Sequence, residues 1–299
     1  MLDIAIGAVA QGILWGIMTL GVYLTYKVLD YSDLSVDGSL ALGGAASAAM
    51  IVKGIDPVVS LLAAGLMGAL AGSVTGLLHT KLKIPPILSG ILTMMGLYSV
   101  NIWVMMGKAN TSMLGLNTVF TKLSATLSLG NDQTIILVGG TGAILLIGLC
   151  YWFFGTELGS AVRATGGNPE MSRAVGINTD SLKILCLMIS NGLVAFAGGL
   201  IAQSQGYAEV TMGTGAIIMG LASIIIGEVL FGRSSSLNFG YKLTTAVLGS
   251  IVYRCVIAFV LYNGLKATNL KLFTAGIVAF SLALPVMKQK LKPRRKSRC

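Results

Sequence analysis

The side chains best suited to contact a small polar solute lie between two apolar runs, in Tyr31-Ser-Asp-Leu-Ser-Val-Asp-Gly-Ser39. Asp33 and Asp37 supply carboxylates, and Ser35 and Ser39 supply hydroxyls that donate and accept hydrogen bonds. A polar break between apolar segments predicts a broken or late-starting helix, with Asp37 or Ser39 as its N-cap. Unwound backbone at membrane depth is tolerated where it faces protein or a water-filled path. An ordinary cytoplasmic loop with a helix cap explains the same residues, so both interpretations remain open.

Three further polar residues complete the candidate solute pathway. Glu209 lies in the polar stretch 203–215, which could receive a solute outside the cell, although a plain exposed loop has the same composition. Asn101 and Asn191 lie inside apolar segments, where polar groups are costly unless they are paired or hydrated. Interhelical hydrogen bonds are the simpler interpretation of these two asparagines.

A third polar stretch, 163–181, is typical of a short, capped surface helix between two long hydrophobic segments. Asn168 is a favourable N-cap, Pro169 suits the first helical position, and Glu170 lies where the helix dipole favours an anion. About two turns later, Gly176 can adopt the left-handed conformation that ends a helix. A rigid helix on the surface of a membrane protein is usually presented to a partner.

The residue types that the chain lacks disfavour an enzyme. There is no Gly-x-x-x-x-Gly-Lys-Ser/Thr phosphate loop, so the usual mode of ATP binding is excluded. A single histidine, His79, and four cysteines without paired spacing support neither a catalytic triad nor a metal site. The apolar segments carry no series of acids and histidines of the kind proton-coupled pumps use. We therefore expect a pathway without a metal, and not a catalyst.

The composition indicates a polytopic membrane protein. Of the 299 residues, 55% are hydrophobic and only 11% are charged, whereas a soluble domain carries about a quarter charged residues. The net charge of +10 is concentrated at the end of the chain, since the tail 288–299 holds seven of the 21 basic residues. A basic tail after a span is most simply a topology signal and a contact with lipid headgroups, and nucleic-acid binding is the weaker interpretation.

Hydrophobic runs predict an all-α protein of about nine membrane spans, with eight or ten as alternatives. The spans are predicted at 4–26, 38–53, 57–78, 85–106, 134–154, 183–205, 214–231, 242–262 and 269–287. Basic residues in the tail and in alternate connections place the C-terminus in the cytoplasm and the N-terminus outside.

A weak internal repeat suggests how the single transmembrane domain, 1–299, is organised. At an offset of about 176 residues, Asp33-Leu-Ser35 matches Glu209-Val-Thr211, and Gly44-Ala-Ala-Ser47 matches Gly220-Leu-Ala-Ser223. Five spans separate the copies, so they would have opposite orientations, as in many transporters. This arrangement predicts repeat A at about 4–106, a linker span at 134–154 and repeat B at about 183–287. Chance matching in a chain rich in glycine and alanine is the alternative.

Two of these stretches together resemble a known family. The run Arg163-Ala-Thr-Gly-Gly-Asn-Pro-Glu-Met-Ser-Arg-Ala-Val-Gly-Ile-Asn178 is similar to the cytoplasmic coupling segment of ABC importer permeases in the branched-chain amino acid and ribose permease superfamily. The segment Asp33-Leu-Ser-Val-Asp-Gly-Ser39 resembles Asp-Leu-Ser-Val-Gly-Ser of its sugar permeases, with an additional Asp37. The sequence of Tyr31–Ser39 looks closest to the branch of this superfamily that includes tryptophan- and tyrosine-type permeases.

The resemblance implies a permease that dimerises around a translocation path in the cell membrane. A separate ABC ATPase subunit would bind ATP and magnesium, and an extracellular or periplasmic substrate-binding protein would deliver the solute, so this chain would need no cofactor of its own. Carried over by position, the coupling helix comprises Asn168, Pro169, Glu170, Met171, Ser172, Arg173, Ala174, Val175 and Gly176, with Arg163 and Arg173 flanking the ATPase groove.

The expected substrate is an amino acid, with an aromatic one favoured by the branch that the sequence resembles. Sugars and nucleosides remain alternatives within the same family. An ion-coupled secondary transporter or channel without an ATPase is a second alternative, and a membrane scaffold without solute flux is a third.

Overall fold

The computed structural model describes residues 2–232, 238–264, 272–276 and 279, and within them the protein is almost entirely helical. Up to residue 264, the described chain holds eleven α-helices, and a five-residue π-helix, Leu24–Val28, continues the first of them. The helices are α1 Leu2–Tyr23, α2 Val36–Val52, α3 Pro57–Thr80, α4 Pro86–Val104, α5 Val119–Leu127, α6 Asn131–Gly155, α7 Glu157–Gly167, α8 Pro169–Ala174, α9 Thr179–Gln205, α10 Ala216–Phe231 and α11 Phe239–Tyr262.

Six of the helical segments are long and apolar enough to cross a membrane: Ile4–Val28, α3, α4, α6, α9 and α11. Each lies at a predicted span, so the polytopic all-α class is confirmed. The predicted spans at 38–53 and 214–231 are the shorter apolar helices α2 and α10, with 17 and 16 residues. The predicted span 269–287 and the basic tail 288–299 lie almost wholly outside the described residues, so the count of nine stays a prediction.

The connections contain structure that hydropathy did not predict. The predicted loop 107–133 holds strand β1, Asn110–Ser112, and the short helix α5. β1 pairs antiparallel with β2, Tyr207–Glu209, with Asn110 opposite Glu209. The predicted connection 155–182 begins with α7, a helix of 11 residues. Helices this short carry too few apolar residues for a hydropathy window to detect them.

The core is centred on α9, which packs closely against α3 through glycines. A Cβ added to Gly68 would lie 2.3 Å from Cβ of Ala195, and one added to Gly72 would lie 2.2 Å from the carbonyl oxygen of Leu187. Gly76 approaches Ile184 in the same way. The three glycines, spaced four apart, let the two backbones approach each other, as small residues do in membrane bundles.

This packing predicts a large effect of Gly72→Leu on stability. The added side chain has no space against the α9 backbone, and overpacking of this kind costs about 1–3 kcal/mol. The measurement is the thermal unfolding of the detergent-solubilised protein. Gly148→Leu on α6 is the control, because nothing lies within 4 Å of an added Cβ there. Equal melting temperatures for the two variants would contradict the close α3–α9 contact.

Candidate functional site

The predicted surface helix exists and has the predicted caps. α8 is a six-residue helix whose N-cap, Asn168, accepts a hydrogen bond from the Met171 amide at 2.9 Å, with Pro169 at the first helical position. Gly176 has φ +89°, the left-handed conformation that ends the helix. Asn178 then caps α9 by accepting from the Ser181 amide at 3.2 Å.

Side-chain contacts fix α8 to the start of α9. Ser172 is buried and its hydroxyl donates to the Asn168 carbonyl at 2.9 Å. Arg173 donates to the Thr179 hydroxyl at 2.7 Å and forms an ion pair with Asp180 at 3.3 Å. Arg173 is therefore part of the joint between the two helices, in addition to its predicted position beside an ATPase.

The other side of α8 is exposed. Glu170 is exposed, as are the apolar side chains of Met171 and Val175, four residues apart on one face. Arg163 lies on α7, where its guanidinium is 5.7 Å from the ring centre of Phe239 and donates to Ser160 at 3.3 Å. The segment thus presents apolar and charged side chains together on a helix that cannot easily move relative to α9.

Three of the predicted pathway residues form one buried network. The Asp33 carboxylate accepts from the Ser35 amide at 2.9 Å, from the Ser35 hydroxyl at 2.5 Å and from the Asn191 amide nitrogen at 2.8 Å. The Ser35 hydroxyl also lies 3.2 Å from the amide oxygen of Asn191. All three residues are buried. The network ties the chain before α2 to the middle of α9.

The Asp37 side chain does not cap α2, the role that the sequence predicted for it. α2 begins at Val36 and its N-cap residue is Ser35, whose side chain makes no capping hydrogen bond to the helix, so neither Asp37 nor Ser39 caps this helix. Instead the Asp37 carboxylate accepts from the backbone amides of Gly215 at 2.8 Å and Ile217 at 2.9 Å. These amides open α10, where a helix favours an anion. The starts of α2 and α10 therefore meet, a long-range pairing that local sequence does not specify.

A cavity of about 330 Å³ lies beside this junction. The first turn of α2, the later half of α4 and the segment 210–214 form it. Among its lining residues are Asp37, Asn101, Met94, Met95, Tyr98 and Thr214. We call it the outer cavity, because its lining residues Val210 and Thr211 directly follow β2.

Asn101 and Ser39 are buried beside this cavity with unused hydrogen-bonding capacity. The Asn101 amide nitrogen donates to the Gly38 carbonyl at 3.4 Å, which links α4 to α2. Its amide oxygen, and the Ser39 hydroxyl, have no partner among the residues that the structure describes. Asn101 lines the cavity, whereas Ser39 does not.

A second, smaller cavity of about 230 Å³ is lined in part by the chain before α2 and by the first turns of α10. Asp33, Tyr31, Ile87, Ile217 and Leu221 are among its lining residues. We call it the inner cavity. Glu209, the remaining predicted residue, lies in β2 and accepts from the Thr211 hydroxyl at 2.5 Å, so it is placed near the outer cavity without lining it.

The sequence did not reveal several polar contacts that only the fold creates. Gln203, predicted at the edge of a loop, is buried in α9 and donates to Ser47, Ser60 and the Pro57 carbonyl, at 3.0, 3.2 and 3.1 Å. Glu228 pairs with Lys27 at 3.0 Å. The guanidinium of Arg254, a basic residue inside α11, lies 4.2 Å from the ring centre of Trp15. The only local sign of these contacts in the sequence was the presence of a polar residue in an apolar segment.

Comparisons with known proteins agree with this arrangement. The model of the family described as branched-chain amino acid transport system / permease component matches residues 4–289. A tyrosine transport system permease protein of Clostridioides difficile is 41% identical over 283 residues, covering 93% of this chain and 90% of that protein. The ribose import permease protein RbsC of Escherichia coli is 29% identical over 167 residues, 56% of this chain and 51% of that protein.

A solved structure shares the fold. PsaBC from Streptococcus pneumoniae in complex with Fab aligns with a TM-score of 0.50 over 94% of this chain and 90% of that chain, at 16% identity. Because the family model covers nearly the whole chain, the membership that the coupling segment suggested is confirmed. The chain belongs to the family of permease components of branched-chain amino acid transport systems, and is a multi-pass membrane transport protein.

Proposed function

We propose that the chain is the permease subunit of an ABC importer for an amino acid, with an aromatic amino acid as the preferred substrate. The observation that carries this proposal is the 41% identity to a tyrosine transport system permease over nearly the full length of both chains. The chain itself would not be an enzyme. ATP and magnesium would bind to a partner ATPase, and an extracellular substrate-binding protein would deliver the solute.

The geometry of α7, α8 and α9 supports coupling to such an ATPase. The capped helix is fixed to α9 through Arg173, Thr179 and Asp180, and α9 packs at the centre of the bundle. A movement of α8 that the ATPase causes would therefore be transmitted through α9 to the membrane spans. The permease would alternate between outward-open and inward-open states as the ATPase subunits move.

The two cavities support a solute path across the junction of α2 and α10. Asp37 lines the outer cavity and Ile217 lines the inner one, and the hydrogen bond between them joins one wall residue of each cavity. Met95 and Tyr98 on the wall of the outer cavity are exposed on a single copy of the chain. A second copy facing this wall would complete it, which favours a homodimer.

The pattern of contacts supports an inverted repeat of α1–α3 and α9–α11. α3 packs against α9, and in the reciprocal relation α11 packs against α1. Ser35 donates to Asp33 just before α2, and Thr211 donates to Glu209 just before α10, each at 2.5 Å. We propose that the copies are related by a two-fold axis in the membrane plane, with the N-terminus outside and the C-terminus inside.

Uptake by proteoliposomes containing the permease, its ATPase and its binding protein tests this proposal. We expect ATP-dependent accumulation of labelled L-tyrosine that excess L-phenylalanine reduces and excess D-ribose does not. ATP-dependent uptake of ribose instead would support the sugar branch. Uptake driven by an ion gradient without the ATPase would support a secondary transporter and refute the ABC assignment.

A further inference from the structure

The outer cavity has a wall with an unsatisfied hydrogen-bond acceptor. Asn101 is 1% exposed, yet its amide oxygen has no partner in the described part of the chain. Leaving a buried polar group unpaired costs about 1–3 kcal/mol. Because the amide nitrogen already donates to the Gly38 carbonyl, the amide is oriented with its oxygen free. The oxygen itself is buried, so a ligand that donates a hydrogen bond would remove this cost only if the side chains over the oxygen shift.

The charge of the cavity favours a cation over an anion. Asp37 contributes a carboxylate, and none of the described residues that line the cavity is basic. The backbone amides of Gly215 and Ile217 donate to this carboxylate and the Ala216 amide also interacts with it, which leaves about one of its roughly four lone-pair sites for another donor. An additional donor can therefore approach Asp37 without displacing α10. Asn101 and Asp37 together offer acceptors and a negative charge to one ligand group.

The part of the wall that α4 contributes next to Asn101 is apolar and aromatic, whereas Thr211 and Thr214 add hydroxyl groups to the wall. Met94, Met95 and Tyr98 follow one another along α4 and face the same cavity. Thioether sulfur and aromatic rings attract one another, and an aromatic face also attracts a cation. The volume of about 330 Å³ is within the range of small-ligand pockets.

We propose that the outer cavity is a binding site for a primary ammonium group attached to an aromatic body. The ammonium group would donate to the Asn101 amide oxygen and to the Asp37 carboxylate, and the ring would contact Met94, Met95 and Tyr98. This inference rests on the proposed function in that it identifies the part of an amino acid substrate that the permease recognises. A sugar has no charge to pair with Asp37, so it would bind more weakly.

The test is binding to the full-length permease in lipid nanodiscs, without ATPase or binding protein, by isothermal titration calorimetry. The probes are tyramine, which has the ammonium group, 3-(4-hydroxyphenyl)propanoate, which has the same ring and a carboxylate, and D-ribose. We expect tyramine to bind at least about tenfold more tightly than the other two. Equal binding of tyramine and the propanoate, or no binding of tyramine, would overturn the proposal.

Substitutions of Asn101 test whether tyramine binds in the outer cavity. Asn101→Leu removes the acceptor at similar volume and should weaken tyramine binding about tenfold, whereas Asn101→Asp keeps an acceptor, adds a negative charge and should bind at least as tightly as wild type. Unchanged binding by Asn101→Leu would refute the assignment.

A second pair of variants does not depend on a buried residue. Tyr98→Leu should weaken tyramine binding about threefold or more through loss of the aromatic face. Tyr151→Leu is the matched control, since Tyr98 and Tyr151 are 53% and 54% exposed and Tyr151 lines a separate cavity. Equal effects of the two would overturn the proposal.

Uptake distinguishes the two levels of inference. If ATP-driven tyrosine uptake occurs and wild-type permease does not bind tyramine, the ammonium site is refuted and the proposed function stands. If tyramine binds as expected and no ATP-driven uptake occurs, the proposed function fails while the site stands.

Discussion

The variant Met171→Asp/Val175→Asp should fail to retain the ATPase subunit and should lose ATP-driven uptake. Met171 on α8 and its C-cap residue Val175 are 66% and 72% exposed. Exposed apolar side chains at a helix surface commonly anchor a partner, and introducing charge at such an anchor typically costs more than 2 kcal/mol of binding. We therefore expect at least about a thirtyfold loss of ATPase affinity.

The measurement is co-purification of the ATPase with the solubilised permease, followed by uptake in proteoliposomes. Leu114→Asp is the control, because Leu114 is 81% exposed but lies next to β1, at the end of the molecule away from α8. Reversal of Arg173 is a poorer test, because its bonds to Thr179 and Asp180 hold α8 in place. Retention of the ATPase by the double aspartate variant would mean that α8 is not the docking helix.

The variant Asn191→Leu should destabilise the protein strongly. It removes the amide that donates to the buried Asp33 carboxylate at 2.8 Å, and leaving a buried group without one of its hydrogen-bond partners costs about 1–3 kcal/mol, and more when the group is charged. Protonation of Asp33 would recover part of this loss, so we expect about 2–4 kcal/mol. The measurement is chemical or thermal unfolding in detergent with a reporter on α2.

Asn263→Leu is the matched control for this variant. Both asparagines donate to the carbonyl four residues earlier, Asn191 to Leu187 and Asn263 to Phe259, but only Asn191 reaches a carboxylate. The double variant Asp33→Asn/Asn191→Leu should be more stable than Asn191→Leu alone, because the charge is removed together with its partner. If Asn191→Leu is as stable as Asn263→Leu, the network does not hold α2 in place.

The same network changes the interpretation of the predicted pathway residues. Asp33, Ser35 and Asn191 satisfy one another almost completely, so their first role is to position the start of α2. Asp37 and Asn101 differ from them, because Asn101 has a free acceptor and both line a cavity. A role in solute contact stays a prediction for all five, and the geometry favours it most for Asp37 and Asn101.

The local sequence was sufficient to predict the elements that are stabilised by interactions between residues close together in the chain. A run of apolar residues must be helical in a bilayer because no other conformation satisfies its backbone, which is why six predicted spans coincide with six long helices. Caps act within one turn, so Asn168, Pro169 and Gly176 were sufficient to predict α8 and its end. The coupling segment, being continuous in sequence, was also sufficient to suggest the family.

Tertiary structure decided which distant groups meet. Nothing near Asp37 indicates that its carboxylate caps a helix about 180 residues later, and the local rule instead predicted that it caps α2. By its sequence, Gln203 belongs to a polar stretch typical of a loop. In the fold it lies on α9 and donates to Ser47 on α2 and Ser60 on α3. The reason is that a buried polar group can be satisfied by any donor or acceptor the fold brings near, and sequence spacing does not limit that choice.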